Sequence, residues 1–504
     1  RCADVTGVQT CALPIYMIKR KKLITTVLSA CFMCLTMMLL VACGEKPHVH
    51  SLEHHDAVSP TCTTAGNVEY WSCTTCDKNL DAEENGKELE TVVVAALGHD
   101  MQHHNAVSAT CTTDGALEYW HCARCDKNFG TENGENELNN ITVLAKGHNY
   151  TYTYDKTTKK YNGVCVNDPT HTDTKTAGET EEFPLLVATE SDFEDVGVTD
   201  LTATSTIYVK VTNDINLTSK LLINRNVVLD LGGKNINFAP TKRLSLLYGN
   251  VENKDYSAIV KNGKLNLQSS FAGGQGAVVQ LEYNFRLTLN DVELNSNKNG
   301  ITIWDNAKLT LNNCHVNAAL MALSNNNTGI TKDVKVIANR STFTSRDDTA
   351  VFVSGFMQVD MDACQLIGKT GALHVMMGDI KLRNTSLVST SSTFTPKTNE
   401  NINTQGTNYD DGAALIIRTN LYYDSNIKTN RLSLDIQGCE FVSANGTKIS
   451  VYNCNDKSGT LAKVEDKTTV MNQFEYVSNI VAGLSDVKIF SYDAATDTVV
   501  EVNA

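Results

Sequence analysis

Short runs of alternating apolar and polar residues fill the chain from about residue 181 to its end. The runs are bounded by Asn, Asp and Gly, which indicates many short strands. One apolar frame recurs at intervals of 21 to 25 residues, a period that predicts one turn of a parallel β-helix for each repeat. The frame reads Leu287, Leu289, Val292, Leu294, then Leu309, Leu311, Cys314, Val316, starts again at Val334 and Val336 before slipping towards Phe343, and returns as Val359, Met361, Cys364, Leu366, as Ile380, Leu382, Thr385, Leu387 and as Leu434, Ile436, Cys439, Phe441.

Equivalent positions of successive turns stack in such an architecture, so Cys314, Cys364 and Cys439 are predicted to be buried core thiols. The periodic half resembles right-handed parallel β-helix proteins of the pectate-lyase-like superfamily. The resemblance implies an all-β fold, and it implies binding or cleavage of polysaccharides along a groove, or adhesion. Residues 391–411, rich in Ser, Thr and Asn, are expected to form a loop that walls the groove.

A second pattern precedes the strands, because His50 to His148 repeats with a period of 49 residues. Each copy carries three cysteines, two of them in a C-x-x-C pair that can bind one metal ion from a tight turn. We expect a Cys3His zinc site in each copy, since a unit this small has little core of its own. The ligands are Cys62, Cys73, Cys76 with His50 or His99, and Cys111, Cys122, Cys125 with His99 or His148.

The fourth ligand stays open at this point, because a leading and a trailing histidine both fit the spacing and His55 and His104 are also possible. His148 can also open a third, decayed unit with Cys165 and His171. Disulfides are the competing interpretation in an exported protein, but three cysteines cannot all pair within one copy. The pattern resembles clostridial zinc-ribbon-like Cys/His repeats, and a closed four-ligand site of this kind implies structural zinc.

The N-terminal region reads as a targeting segment. A basic stretch before Leu23 leads into an apolar run that ends at Cys43, the order found in cleaved secretory signals. The junction resembles the lipobox of bacterial lipoproteins, which implies a lipid on Cys43 and a chain tethered to the extracellular face of the cell membrane. Residues before Met17 resemble translated sequencing-adapter read-through, and we exclude them.

Composition narrows the partners. The formal net charge is −14, which argues against nucleic acid as a partner.

Together, these patterns predict the organisation of the chain: 1–16 non-native, 17–42 signal peptide, 43–49 anchor linker, 50–99 repeat 1, 100–148 repeat 2, 149–180 degenerate third repeat or linker, and 181–504 β-helix.

Catalytic candidates are few. Asp347 and Asp348 resemble the paired aspartates of β-helix pectin hydrolases, and His374 comes one turn later. The flanking motifs of that family are missing, and Asp410-Asp411-Gly412 shows that acidic pairs also mark turns in this chain. We expect no catalytic set. Trp304, Tyr422 and Tyr423 are candidate sugar-stacking residues.

The sequence thus predicts a surface lipoprotein whose β-helix binds an extracellular glycan or a surface protein, as adhesins do. The zinc-stabilised repeats would serve as a spacer or as small binding modules. The alternative is a β-helix polysaccharide lyase or glycoside hydrolase that acts on pectin-like or host glycans.

Overall fold

A computed structural model describes residues 49–198, 200, 204–251, 255–273, 276–325, 333–394, 411–418, 432–452, 487–493 and 498–501. The excluded segment 1–16, the signal peptide 17–42, Cys43, most of the 391–411 loop, Tyr422 and Tyr423 lie outside these residues. Within the described part of the chain, no helix has the length and apolar character needed to cross a membrane.

Almost every regular element is a strand. The helix in the described ranges is Glu190–Asp195, where the Asp192 carboxylate accepts hydrogen bonds from the amides of Ala188 and Thr189. The prediction of an all-β chain with long parallel sheets is confirmed. The chain divides into two compact bodies: the first holds the described residues up to Val107 together with Ala116–Thr142, and the second holds Ser108–Gly115 and everything from Val143 onward.

The repeats consist of very short antiparallel strands. Repeat 1 contains Leu52–His55, Gly66–Asn67, Tyr70–Cys73, Asn79–Leu80 and Val93–Val94. Repeat 2 contains Met101–His104, Gly115–Ala116, Tyr119–Cys122, Lys127–Phe129, Glu137–Leu138 and Thr142–Val143. A three-stranded antiparallel sheet follows, which we call the third hairpin sheet, with strands Tyr150–Asp155, Lys160–Cys165 and Thr172–Thr176.

The remaining strands form three parallel stacks, which together we call the parallel region. Stack A contains Leu185–Val187, Ile207–Val211, Val227–Asp230, the first parts of Ser257–Leu267 and Arg286–Ser296, Lys308–Asn312, Val334–Asn339, Met357–Asp362, Gly378–Arg383 and Leu432–Gln437. Stack B contains Ile215–Leu217, Asn235–Phe238, the second parts of the same two long strands, His315–Ala318, Thr342–Ser345, Gln365–Gly368, Ser386–Ser389 and Glu440–Ser443.

Stack C forms a sheet of its own. Its strands are Leu221–Ile223, Leu247–Val251, Ala277–Tyr283, Asn299–Ile303, Leu323–Asn325, Thr349–Val353, Gly371–Val375, Leu415–Arg418, Ile449–Tyr452, Val487–Asp493 and Thr498–Glu501, the last pair antiparallel. From Ile207 to Tyr452, each turn of the chain gives one strand to each stack, an arrangement compatible with a β-helix-like solenoid.

The apolar frame found in the sequence forms the core of the parallel region. Leu287 lies beside Leu309, and Leu294 beside Val316, and all four are at most 1% exposed. The expected slip after Val334 does not occur. The frame there is Val336, Ala338, Ser341 and Phe343, in register with Leu309, Leu311, Cys314 and Val316. Small residues at two of the four positions hid it.

In successive turns, the residue at the corner between stacks A and B has a positive φ, in the left-handed region. The corner residues are Asn262 (φ 60°), Asp291 (55°), Asn313 (54°), Arg340 (47°), Ala363 (52°), Asn384 (48°) and Gly438 (64°). Asn, Asp and Gly tolerate this conformation, which explains their recurrence between the strands. Beyond the corner, an outward asparagine ladder joins five rungs of stack B, with side-chain amide contacts of 2.8 to 3.1 Å: Asn216, Asn237, Asn266, Asn295 and Asn317.

Candidate metal centres and the outer face of the parallel region

One hairpin geometry recurs three times along the N-terminal part of the chain. In each hairpin, the last residue of the second strand is a cysteine, and it pairs with a residue of the first strand: Leu52 with Cys73, Met101 with Cys122 and Tyr150 with Cys165. A histidine lies two residues before each of these first-strand residues, namely His50, His99 and His148. Antiparallel pairing brings each histidine next to the turn that follows the cysteine. The leading histidine, rather than the trailing one, therefore accompanies each C-x-x-C pair.

Backbone amides from Asp100 and from the turn after Cys122 point at the sulfur of Cys122. The amide of Asp100 lies 3.3 Å from Cys122 Sγ. Burial opposes ionisation of this thiol, but the amides of Asp100, Cys125 and Arg124, together with the His99 side chain, outweigh it and lower the pKa of Cys122 to about 5. The thiolate that a metal requires is therefore favoured before any metal arrives.

Four ligand atoms converge on one point in what we call the second site, formed by Cys62, His99, Cys122 and Cys125, all within 4.8 Å of one another. Cys62 Sγ lies 3.7 Å from Cys122 Sγ, and Cys125 Sγ lies 3.6 Å from His99 Nδ1. A tetrahedral ion bound at the usual zinc–sulfur and zinc–nitrogen lengths needs edges of about 3.8 Å and about 3.6 Å. The two separations match these edges, so the four atoms could hold a tetrahedral metal ion.

Close packing holds His99 in place. Its ring rests against Phe129, with centroids 4.6 Å apart. Gly134 passes the other side of the ring with φ +79°, and a Cβ there would come within 2.4 Å of His99 Cδ2. Phe129 and Gly134 thus position His99 in the second site. The pattern of cysteines and histidines in the sequence does not reveal them.

Three ligand atoms meet at the first site, formed by His50, Cys73 and Cys76, with Cys76 Sγ 3.3 Å from His50 Nδ1. Three also meet at the third site, formed by Cys111, His148 and Cys165. The grouping differs from the one expected from the sequence, in which all three cysteines of a copy shared one ion. Cys62 joins the hairpin of repeat 2, and Cys111 joins the hairpin that carries His148 and Cys165.

This sharing follows from where the lone cysteine lies. Cys62 and Cys111 precede their own C-x-x-C pairs by a whole strand, and spacing alone does not reveal which pair they face. All ten described cysteines are free thiols. Burial and the adjoining thiols of Cys122 and Cys125 raise the pKa of Cys62 to about 11, so metal binding at the second site must displace its proton.

The other histidines of the repeats make ordinary side-chain contacts. His55 stacks on Tyr70 at 4.5 Å, and its Nε2 lies 2.8 Å from the Ser72 hydroxyl. His103 pairs with Glu118 at 2.8 Å on the exposed face of repeat 2, where surface pairs contribute little.

The weak catalytic candidates are not brought together. Asp347 is exposed, whereas Asp348 is 4% exposed and its carboxylate accepts the amide of Thr349 at 2.8 Å. His374 is 1% exposed and lies on the strand opposite Phe352. Phe352 is four residues beyond Asp348, about 13 Å along a strand. Asp347 and Asp348 lie in a turn, and His374 is buried on the row of stack C that carries Phe352, so these three residues do not form a carboxylate pair facing a substrate.

The three cysteines predicted to be core thiols differ in their exposure to solvent. Cys314 and Cys364 are buried, and burial raises the pKa of both, that of Cys364 to about 11. Cys439 is half-buried, so the expectation of a buried thiol fails at this last rung. Trp304 is also half-buried.

The outer face of stack A carries two half-open grooves. One row of outward residues runs Tyr208, Val228, Ile259, Thr288, Thr310 and Ile337 on successive rungs. Beside it, Arg286, Lys308 and Lys335 occupy three neighbouring rungs and line a half-open groove of about 440 Å³. A second groove of about 540 Å³, lined in part by Tyr208, Lys210 and Lys261, lies at the N-terminal end of the same face.

Comparisons with protein-family models, with curated proteins and with solved structures find no match to this chain.

Proposed function

We propose that this protein is a surface lipoprotein that binds an extracellular anionic glycan along the outer face of stack A. In this proposal the parallel region is a right-handed parallel β-helix of the pectate-lyase-like kind, and Cys43 carries the lipid anchor. Zinc at the first and second sites stabilises the repeats, which act as a spacer between anchor and binding face. The observation that carries the proposal is the basic row Arg286, Lys308 and Lys335 along the groove.

The spacing of that row suits an extended polymer. Neighbouring rungs of a sheet lie about 4.8 Å apart, so the three cations present a regular ladder of charge along the groove. Such a ladder can contact successive units of a chain that bears carboxylate or sulfate groups. A compact ligand would meet only one or two of the rungs.

The groove floor adds contacts that suit sugars. Thr288 and Thr310 offer hydroxyl groups to hydrogen-bond with a glycan, while Ile259 and Ile337 offer apolar surface at either end of that pair. Sugar rings present both hydroxyl groups and C–H faces, so a mixed floor of this kind is complementary to them. The binding of a glycan, rather than of nucleic acid, agrees with the net charge of −14.

Existing ion pairs do not block the row. Arg286 pairs with Asp255 at 3.2 Å and Lys308 with Asp333 at 3.1 Å, all four side chains being well exposed. Exposed pairs contribute at most about 1 kcal/mol, so a multivalent ligand can replace them. Lys335 forms no ion pair with any residue in the described ranges.

Zinc is the metal that the donor set favours. Three thiolates and one imidazole at tetrahedral edges are the usual ligands of structural zinc. The second site has all four, and the first has three. A closed site of protein ligands supports a structural role for the ion at the second site.

A glycan array probed with the chain from Cys43 to Ala504 tests the proposal, and each bound glycan is then examined for cleavage by mass spectrometry. We expect binding to uronate-bearing or sulfated glycans that weakens with added salt. The Lys308→Glu, Lys335→Glu double variant should reduce affinity by about tenfold, since two exposed ionic contacts are lost and each is worth up to about fivefold.

Lys369→Glu is the matched control, because Lys369 is exposed but lies outside the groove. Equal binding by the double variant and the wild-type chain would contradict the proposed face. Cleavage of a bound glycan would favour the alternative, a polysaccharide lyase or glycoside hydrolase.

A further inference from the structure

The third hairpin sheet reproduces the metal-binding turn of repeat 2 although one cysteine is missing. In repeat 2 the amide of Ala123 donates to the carbonyl of Asp100 at 2.9 Å, and in the third hairpin Val166 donates to Asn149 at 2.7 Å. Cys122 and Cys165 occupy the same position in the two hairpins. The backbone that forms the second site is therefore built again at the third.

The ligand atoms of the third site have the right separations. Cys111 Sγ lies 3.7 Å from Cys165 Sγ, the same distance as in the second site and close to the tetrahedral edge of about 3.8 Å. One atom of His148 lies within 4.8 Å of both sulfurs. Cys111 and Cys165 are both buried, whereas His148 is exposed.

Asp168 occupies the chain position of the missing cysteine, because Cys165–Asp168 aligns with Cys122–Cys125. Its carboxylate is not among the ligand atoms that meet at the third site, since it accepts hydrogen bonds from the amide and the hydroxyl of Thr170, at 3.0 and 2.7 Å. The amides of Asn149, Asp168 and Asn167 and the side chain of His148 surround the sulfur of Cys165. The same pattern of amides surrounds Cys122.

We propose that Cys111, His148 and Cys165 form a third zinc site. Three protein ligands can hold zinc when the fourth position is left to water or another small ligand, so the missing thiol changes the strength of the site and not its feasibility. The inference rests on the proposed zinc loading of the repeats. With two thiolates in place of three, the third site should bind zinc at least about tenfold more weakly than the second.

The proposed ion would link a loop of the repeats to the core of the parallel region. Cys111 lies in the segment Ser108–Gly115, which is held to the following chain by two hydrogen bonds, Lys146 to Thr110 at 2.8 Å and Ala145 to Asp114 at 2.7 Å. The third hairpin sheet itself packs on the core through Tyr161, whose hydroxyl donates to the carbonyl of Pro184 at 2.7 Å. Zinc coordination would add a third link between Ser108–Gly115 and the third hairpin sheet.

Native mass spectrometry of the reduced, zinc-loaded full chain tests the site by counting ions. Cys165→Ser should lose one ion relative to wild type and keep the ion of the second site, while Cys122→Ser should do the reverse. Cys364→Ser, in the buried core, should keep the wild-type count. If Cys122→Ser loses an ion and Cys165→Ser does not, the third site is refuted while the proposed zinc at the second site stands.

If neither variant loses an ion, the zinc loading of the proposed function fails as well. A Cys111–Cys165 disulfide in protein purified without reductant, found as a cross-linked peptide that zinc does not prevent, would also overturn the third site. The two sulfurs are close enough for oxidation to compete.

A fourth ligand can be supplied by restoring the missing thiol. Asp168→Cys should tighten zinc binding at the third site at least about tenfold in a competition with a chromophoric chelator, and Co²⁺ spectra should gain sulfur-to-metal charge-transfer intensity. His148→Ala should weaken binding at the third site. Unchanged affinity in His148→Ala, with loss in His171→Ala, would overturn the assignment of His148, because the His171 ring lies 4.9 Å from that of His148.

Discussion

The repeats and the parallel region differ in what stabilises their folded chains. In the repeats, the buried apolar cluster consists of Cys62, Cys122 and Phe129, with Met101 and Cys125 packed against it. The parallel region shares one continuous core with the third hairpin sheet, and this core runs from Tyr161 to Ile449. A unit with so little apolar surface cannot offset the entropy of ordering its chain, whereas stacked rungs can. Ligands for metal are therefore concentrated where the core is absent.

Cysteine shows the contrast most directly. In the repeats its sulfur faces other ligands, and backbone amides hold the pKa of Cys122 at about 5. In the parallel region its sulfur faces the apolar interior, and burial raises the pKa of Cys364 to about 11. One residue type is a prospective ligand in one region and a small apolar side chain in the other.

The largest expected effect comes from removing metal. A chelator should abolish hydrogen-exchange protection in the strands of the repeats and leave that of stacks A, B and C intact, because structural zinc supplies about 10 to 16 kcal/mol to small domains. Hydrogen exchange followed by peptide mass spectrometry measures both regions in one sample. Equal protection of Tyr119–Cys122 with and without chelator would show that the repeats do not depend on metal.

The sequence predicted the ligands of these sites better than their grouping. C-x-x-C pairs are visible because the spacing itself makes the turn, and the leading histidines follow from the 49-residue repeat. Cys62 binds beyond its own copy because the next hairpin closes over it, and such a contact between distant segments leaves no local pattern. Positioning residues such as Gly134 are likewise recognised only from the ring that they touch.

The frame of the parallel region was predictable where large apolar residues filled it. Leu287 and Leu309 fixed the register, but Ala338 and Ser341 are too small to mark a strand by pattern, although they stack in the same positions. The outer groove was not predictable at all. Arg286, Lys308 and Lys335 become a row only once the rungs are aligned.

A core truncation should have the next largest effect and should spare the metal sites. Phe285 is fully buried, and its ring fills the space above Gly249. Phe285→Ala should lower the free energy of unfolding of the parallel region by about 3 to 5 kcal/mol. Urea denaturation measures the loss, and zinc content should not change. The half-buried, outward Phe352 is the control, since Phe352→Ala should cost clearly less.

Alkaline pH should weaken the parallel region through its buried thiols. The pKa of Cys364 is about 11 in the folded chain against an ordinary 9.0, so the stability it contributes is complete below pH 9 and is lost as pH rises from 9 to 11. The loss should approach about 2 kcal/mol. Urea denaturation at pH 8 and pH 11 should show a smaller decline in Cys364→Ala than in wild type, and an equal decline in both would contradict the assignment.

The smallest expected effect is a gain in stability at a corner between stacks A and B. Ala363 holds φ 52° where most other corners use Asn, Asp or Gly, and a left-handed conformation costs a residue with a Cβ about 1 kcal/mol or more. Ala363→Gly should relieve this strain and raise the free energy of unfolding by up to about 1 kcal/mol, because the greater freedom of glycine in the unfolded chain offsets part of the gain.

Ala338→Gly supplies the opposing control, since Ala338 is fully buried within a stack A strand and has no such strain to relieve. It should destabilise by about 1 kcal/mol. Denaturation midpoints of the two variants should move in opposite directions. A loss of stability in both variants would mean that Ala363 does not strain the corner. The contrast with the repeats would then be one of core size alone, and not also of backbone geometry repeated at each turn.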